Sequence, residues 1–433
     1  MIGEKIRGCG FWTLDFFRIN SIRKAYNDII KILSEEEYYQ KQSKEYLKIL
    51  LDRACNETEF YKKFNGIYDL HKFPVINKSI IRETQNSFLS NKYNRGRLHQ
   101  ISTSGSTGTP FKTYQNKEKR NRVLAELIYY GNKIGYKVGK KLVFLRFVES
   151  GYAKTKLKQF IQNQEVIRIN NMSDENLENI CNKILKLENG TILMAYPSTL
   201  ALVINIFERM GITKVSNIAG IITGAEVLTD GNRRKIKEMF KCPIVSRYSN
   251  QENGILAQDC DEFNEYHINR ADYIIEILKF NSDQKAEEGE IGRIIVTDLF
   301  NYAMPMIRYD TGDIGSIVNK SKCKENTPVL SNLEGRKLDM LHDTSGKRLS
   351  FFAIDEMFYD LPYVKQYQLI QKNQLDFTIN LVCTDGSIVE EGKIILQLKN
   401  IFGQDANIEL VYSEGIPVIN SGKFKYIINL MNK

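Results

Sequence analysis

From residue 218 to residue 252 the chain reads IAGIITGAEVLTDGNRRKIKEMFKCPIVSRYSNQE, and this stretch decides the fold. Ile218 to Thr223 is an apolar run of strand length, Asp230 to Phe240 reads as a helix, and Ile244 to Tyr248 as a second buried strand. The same alternation extends backwards. Gly190 to Ala195 is a strand and Ser198 to Met210 a helix, preceded by a helix over Ser173 to Leu187 that begins at a Ser-Asp cap, a strand over Lys141 to Phe147 and a helix over Asn121 to Ile134. Strand and helix in repeated succession predict an α/β domain built on a largely parallel sheet.

Moving outward, the pattern changes at both ends. Ser21 to about Phe64 has apolar and aromatic residues at helical spacing among Lys and Glu, giving a helical front end over about residues 1–95. Gly10 to Ile19 is aromatic but interrupted by Asp15 and Arg18, with no small-residue cleavage site behind it, so it is not read as a signal peptide. A helix packed on the main domain is the expected reading, and contact of an amphipathic N-terminal helix with a membrane surface is its alternative. Beyond Cys260 the texture turns to strands, notably Tyr273 to Leu278, Gly292 to Asp298 and Gly315 to Val318, which suggests a β-rich lobe. From about Leu341 onward, strands mix with one helix over Ile388 to Ile401. The expected organisation is a large domain over residues 1–337 and a small, mobile α+β domain over residues 338–433.

Composition excludes several classes. At 433 residues, with 42% hydrophobic and 26% charged residues, the chain is an ordinary globular sequence, neither disordered nor a membrane type. No stretch approaches the roughly 20 apolar residues of a membrane span. The net charge of +9 is mild for this length, and basic clusters such as Lys117 to Arg122 and Arg233 to Lys237 are interleaved with other residues, so they read as solvated helix faces rather than a nucleic-acid footprint. Seven widely spaced cysteines without a Cys-x-x-Cys pair favour reduced thiols and a cytoplasmic location.

The chemistry starts at Ser102-Thr103-Ser104-Gly105-Ser106-Thr107-Gly108-Thr109-Pro110. Glycines let backbone N–H groups turn inward around an anion, and hydroxyls add donors that follow phosphate oxygens. A flexible, solvated loop is the other reading of this composition. The run lacks the Gly-Lys-Ser/Thr of a P-loop, and Phe111 to Tyr114 continues it as a strand rather than a helix, so it is neither a Walker motif nor a dinucleotide fingerprint but the tip of a hairpin. Three later loops each place an acid just after a strand: Gly224-Ala225-Glu226, Ser249-Asn250-Gln251-Glu252 and Arg308-Tyr309-Asp310-Thr311-Gly312-Asp313. In open α/β sheets ligands gather at such ends.

The order of these motifs resembles the adenylate-forming superfamily of acyl-CoA synthetases and ligases, most of all its phenylacetate-CoA ligase-like branch of the capsular polysaccharide type. Ser102 to Pro110 is similar to the family's phosphate loop, Gly224-Ala225-Glu226 to its adenine-contact segment, Tyr248 to Glu252 to its aromatic-to-glutamate motif and Tyr309 to Asp313 to its Tyr-Arg-Thr-Gly-Asp element. Gly335-Arg336-Lys337-Leu338-Asp339 resembles the hinge motif and Ser421-Gly422-Lys423 the motif of the catalytic lysine. The resemblance implies ATP-dependent activation of a carboxylic acid as an acyl-adenylate, then transfer to CoA, an amine or a glycan-linked acceptor. Residues Ser102, Thr103, Ser104, Gly105, Ser106, Thr107 and Gly108 would hold the β- and γ-phosphates, Glu252 would bind Mg²⁺, and Lys423 would bridge carboxylate and α-phosphate. Gly224, Ala225, Glu226 and Tyr248 would contact the adenine, Asp313 would accept from the ribose hydroxyls with Arg336 nearby, and Asp339 would be the hinge. Phe111, Ser249, Gln251 and Asp310 depart from the family pattern. Relatives carry a Cys/His zinc site, which makes Cys260, His267 and Cys323 candidate ligands; Ser321 stands where a further cysteine is expected, so buried thiols and a satisfied histidine are the favoured reading. Two other functions stay open: nucleotidyl transfer leaving AMP on an acceptor hydroxyl, and a nucleotide-binding scaffold without turnover.

Overall fold

The structure, a computed structural model of the chain, describes residues 2–103, 111–146, 155–169, 173–261, 265–323, 327–336, 340–359, 361, 363–384, 389–417 and 424–431. Helices α1 (Ile2–Phe17), α2 (Ser21–Ser34), α3 (Glu36–Glu57) and a short α4 (Lys78–Glu83) form the front end. Strands β1 (His99–Thr103) and β2 (Phe111–Gln115) pair antiparallel with Thr103 opposite Phe111, so the hydroxyl-rich run joins the two strands of a hairpin. Then come α5 (Lys117–Asn132), β3 (Leu142–Arg146), α6 (Lys156–Gln162), β4 (Gln164–Arg168), α7 (Asp174–Leu185), β5 (Thr191–Ala195), α8 (Pro197–Arg209), β6 (Ile218–Gly224), α9 (Asp230–Phe240) and β7 (Ile244–Asn250). A run of strands follows: β8 (Gly254–Asp259), β9 (Tyr266–Ile268), β10 (Tyr273–Leu278), β11 (Gly292–Asp298), β12 (Tyr309–Val318) and β13 (Val329–Arg336).

Among the described residues, eleven of these strands form one mixed sheet in the order β10-β11-β12-β13-β9-β8-β7-β6-β5-β3-β4. From β7 to β4 all pairings are parallel, as the alternation requires, and the β-rich lobe continues the sheet edge to edge because β8 turns back antiparallel on β7. The crossover helices bury one face against the parallel half: Leu177, Ile180 and Ile184 of α7, Val203 and Phe207 of α8 and Ile236 and Phe240 of α9 pack with Leu193 and Ile221. Their three- and four-residue spacing is what makes that stripe. In the front end α2 buries Ile22, Ala25, Ile29 and Ile32 against Ala125 and Ile128 of α5.

The C-terminal part has its own core and sheet. It comprises β14 (Leu341–His342), β15 (Arg348–Leu349), α10 (Phe351–Tyr359), β16 (Val364–Gln371), β17 (Asp376–Cys383), α11 (Glu391–Phe402), β18 (Asn407–Tyr412) and β19 (Ile427–Asn429), with a four-stranded order β18-β17-β16-β19. It has two helices where the sequence suggested one. α10 reads FFAIDEMFY, too apolar for a polar face to mark the helical period.

One reading of charge is corrected here. Lys119, Arg122 and Arg233, taken as members of solvated helix faces, are buried: Lys119 is fully enclosed. Lys119 pairs with Asp298 at 2.8 Å, Arg122 with Asp28 and Asp272, and Arg233 with Asp259. The acids lie far away in sequence, so helical periodicity alone could not reveal the pairing.

Candidate active site

The carboxyl ends of β6 and β7 sit side by side because the two strands pair in parallel, with Gly224 opposite Arg247. Two acid-bearing loops therefore emerge together. The first turns sharply: Ala225 has φ 67°, the left-handed region, and a side chain on Gly224 would press to 3.1 Å from the Arg247 carbonyl. This turn aims Glu226 along the N-terminus of α8, where its Oε2 accepts from the Ser198 N–H at 3.2 Å. Its Oε1 accepts from the backbone N–H of Phe424 at 2.7 Å. One carboxylate thus joins the helix N-terminus of the large sheet to the C-terminal segment, one residue beyond Lys423. Val227 packs against the C-terminal core in the same place.

Glu252, at the end of the second loop, is only 2% exposed. Its Oε1 accepts from the Tyr309 hydroxyl at 2.8 Å and lies 3.0 Å from the Lys78 ammonium. Gln115 of the hairpin donates to the Glu252 carbonyl at 2.9 Å, tying the strand behind the hydroxyl-rich run to this loop. Tyr309 is fully buried; burial, then Glu252, pushes its phenol well above the ordinary range, so it remains a donor. Tyr248 donates to Asp313 Oδ2 at 2.9 Å, and burial followed by the Asp313 charge likewise keeps it protonated. Asp313 stands opposite Arg336 in the β12–β13 ladder. The segment Arg308 to Asp313, expected as a loop just after a strand, instead opens β12, because Tyr309 and Asp310 already pair with β11. Asp310, a departure from the family pattern, accepts from Arg293 at 2.9 Å and from the Gly312 N–H, also at 2.9 Å, and so braces the irregular start of the strand that presents Asp313.

Glu226, Tyr248, Glu252, Asp313 and the strand ends of the hairpin are thus brought toward one end of the sheet. Ser104, Gly105, Ser106, Thr107, Gly108, Asp339 and Lys423 lie outside the described residues, and for Thr103 and Arg336 the backbone alone is described. Lys78 was missed, and no sequence signal could have found it. It opens α4 without a motif and arrives beside Glu252 because Ile76 bridges to Tyr309.

Cys260, His267 and Cys323 do come together, with ligand atoms within 4.8 Å of one another and no fourth such residue among the described ones. Neither Cys260 nor Cys323 is buried, which corrects the expectation of buried thiols at this pair; the β13–β9 ladder, with Val329 opposite His267, brings together cysteines 63 residues apart. A structural zinc takes four nitrogen or sulfur ligands and the described residues offer three, so the group does not fit a structural zinc. The other five cysteines lie apart from this group.

Residues 341–430 match the CapK C-terminal domain. Over 420 residues the chain is 24% identical to "Protein CapK" of Staphylococcus aureus, covering 93% of this chain and 90% of that one. It is 23% identical over 256 residues to a phenylacetate-coenzyme A ligase of Aromatoleum evansii, covering 55% and 57% respectively. Among solved structures, 2-hydroxyisobutyryl-CoA ligase in the postadenylation state with 2-HIB-AMP superposes at a TM-score of 0.72, with 14% identity over 90% of this chain and 89% of that one. The same ligase in the thioesterification state, covering 92% and 90%, scores 0.58 at 14% identity. No helix among the described residues is long and apolar enough to cross a membrane. With its mixed sheet and separate C-terminal unit the chain has the fold of the 2-hydroxyisobutyryl-CoA ligase structures, and its sequence is similar to CapK along most of its length and to phenylacetate-coenzyme A ligases over part of it.

Proposed function

We propose that the protein activates a carboxylic acid with ATP. A carboxylate oxygen attacks the α-phosphorus, the acyl–oxygen–phosphorus bond forms as the bond to the β-phosphate bridging oxygen breaks, and pyrophosphate leaves. An acceptor thiol, amine or hydroxyl then attacks the acyl carbon, gives up its proton and releases AMP. The observation that carries this reading is the meeting of Glu252, Tyr248 and Asp313 at one end of the sheet, beside the hairpin that bears the hydroxyl-rich run.

Each residue has a task suited to its surroundings. Tyr248 donates to Asp313 and so holds the carboxylate in place, where it would accept from ribose hydroxyls while the tyrosine ring face meets the adenine. The Glu252 carboxylate is a hard oxygen donor of the kind that suits Mg²⁺, which when bound would offset charge on the triphosphate. Lys78 and Tyr309 fix its orientation. Residues 102–108 would cradle the β- and γ-phosphates, and Lys423 would stabilise the charge developing between carboxylate and α-phosphate. Glu226, by holding Phe424, would set the reach of Lys423. In this reading residues 1–337 bind ATP and acid, residues 338–433 deliver the lysine, and Asp339 is the pivot between half-reactions. The higher TM-score to the postadenylation state than to the thioesterification state supports an adenylation-type placement of the C-terminal unit. The CapK name of one relative suggests a role in surface polysaccharide synthesis; in this reading the protein works in the cytoplasm and the acceptor is CoA, an amine or a glycan-linked group.

The test is acid-dependent pyrophosphate release from Mg²⁺-ATP over aryl, fatty, amino and uronic acids, with mass spectrometry of the nucleotide product. Release that depends on one acid class and yields AMP is expected. ATP binding without release for any acid would overturn the reading in favour of nucleotidyl transfer, seen as AMP on an acceptor, or of a scaffold.

A further inference from the structure

The front end carries a surface that the proposed chemistry leaves unused. α1 is fixed on one side. A side chain at Gly8 would strike the Val138 carbonyl at 2.8 Å, and one at Gly139 would strike the Glu4 carbonyl at 2.2 Å, so helix and turn are in backbone contact. Asp15 accepts from the Ile22 and Arg23 N–H groups at 3.0 and 2.9 Å, which caps α2 and locks the corner between the two helices. The opposite side of α1 is bare. Ile2, Ile6, Thr13 and Phe17 recur on it at helical spacing, and Ile2, Ile6 and Phe17 are 79%, 65% and 77% exposed. α6 stands next to it, since the Arg7 guanidinium lies 5.3 Å over the Phe160 ring. Leu157, Phe160 and Ile161, one face of that helix, also point outward. Exposed apolar groups on this scale mark an interaction site.

Charge selects the occupant. Lys5 on α1, Arg18 just after it and Lys156 and Lys158 on α6 are exposed around the apolar groups, and the acids of these two helices are Glu4 and the buried Asp15. Where the stripe ends, an open cleft of about 780 Å³ is lined by Arg18, Lys24, Lys92, Arg97 and Lys117, with a single acid, Glu118, held by Asn116 at 2.6 Å. A second copy of this chain, itself at +9, would set cations against cations. An anionic lipid surface satisfies both features, taking the apolar stripe into its acyl boundary and the cations onto its phosphates. We propose that the α1–α6 face docks the protein peripherally on an anionic lipid bilayer, which would set the active site beside a membrane.

The full-length protein is sedimented with vesicles of phosphatidylcholine alone or with about 30 mol% phosphatidylglycerol, an anionic fraction large enough to attract basic segments. It should partition onto the anionic vesicles about tenfold more strongly than onto neutral ones, and high salt should release it. The double variants Phe16→Ser/Phe17→Ser and Leu157→Ser/Phe160→Ser should each weaken partitioning about tenfold while the melting temperature holds, because these side chains are exposed. Trp12, the chain's one tryptophan, lies in α1 and should be quenched by brominated anionic vesicles in the native protein but not in the Phe16/Phe17 variant. No binding to anionic vesicles, or binding that both variants leave intact, overturns the proposal. A dimer that the Phe16/Phe17 variant dissolves, without vesicle binding, also overturns it and gives the face to a second copy. The vesicle assay needs no substrate, so its failure would leave the proposed ligase chemistry standing.

Discussion

Two clusters in this protein are built from the same parts, acids, a tyrosine and a lysine, yet do different work. The first lies beneath α5: Lys119 bonds to the Tyr273 hydroxyl and to Asp298, each at 2.8 Å, Tyr273 meets Glu126 at 2.8 Å, and Arg122 grips Asp28 and Asp272. Lys119, Glu126, Asp272 and Asp298 have no exposure at all. The second is Glu252 with Tyr309 and Lys78, and Asp313 with Tyr248, where Lys78 is one-third exposed. A closed cluster whose groups are satisfied by one another fixes how segments pack. A cluster with an open side is within reach of a ligand, as the proposed function requires. Access, not residue type, separates structure from function, and strongly shifted pKa values occur in both.

The comparison breaks if disruption of the two clusters has the same consequences. Arg122→Leu should have the largest effect. It strands Asp272 and Asp28 and cuts the tie between α2 and the strand region, and losing one partner of a buried pair costs about 3–5 kcal/mol. Denaturant titration should show that loss, while the kcat of the molecules that remain folded stays near native. Glu252→Gln should do the reverse. Tyr309 can still donate to the amide oxygen, so the melting temperature should barely move, while AMP formation falls about 100-fold if the charge proposed to bind the metal is lost. A Glu252→Gln protein that unfolds, or an Arg122→Leu protein that folds well but is inactive, would collapse the distinction. Glu226→Gln sharpens it at the interface. The amide can still accept from one N–H but not as a charged acceptor from both Ser198 and Phe424, so adenylation should slow about tenfold with ATP affinity unchanged.

How much of this was legible follows the same division. Glu226 and Glu252 could be read as following β6 and β7, because strand-end position is local, whereas Asp313, expected just after a strand, lies inside β12, and no motif announced that Glu252 meets Tyr309 or that Asp313 meets Tyr248. Of the parallel half, β3, β5, β6 and β7 were legible from the alternation of strand and helix, and α6 with the edge strand β4 was not. What failed were facts made by distant pairing. Lys119 and Arg122 look like a solvated helix face until Asp272 and Asp298, some 150 or more residues on, close over them. Glu226 reads as an adenine contact, and nothing near it announces that Phe424, 198 residues away, will donate to it. The approach of Cys260 to Cys323 has the same origin in a strand pairing.

The smallest expected effect is the most discriminating about the closed cluster. Glu126 lies 4.0 Å from Lys119, which suggests an ion pair, but burial first and then the neighbouring Asp272 push its carboxyl well above the usual range. Asp272 is held low, because Arg122, a hydrogen bond from Glu126 and Lys119 together outweigh its burial. The cluster is therefore read with Glu126 protonated and donating to Asp272, and with Lys119 paired to Asp298. A carboxyl that stays protonated in the folded state binds more protons there than in the unfolded chain once the pH exceeds its ordinary value of 4.5. Between that value and the raised one, folding takes up a proton and stability falls as pH rises, by up to about 1.4 kcal/mol per pH unit for one full proton. Glu126→Gln keeps a donor toward Asp272 and an acceptor for the Ile255 N–H but cannot ionise, so it should cost less than about 1 kcal/mol near pH 5 and lose that slope. Native and variant proteins should converge or cross as pH is raised, with the variant the more stable at alkaline pH. A native protein whose stability rises through the same range would make Glu126 an ionised partner of Lys119 instead.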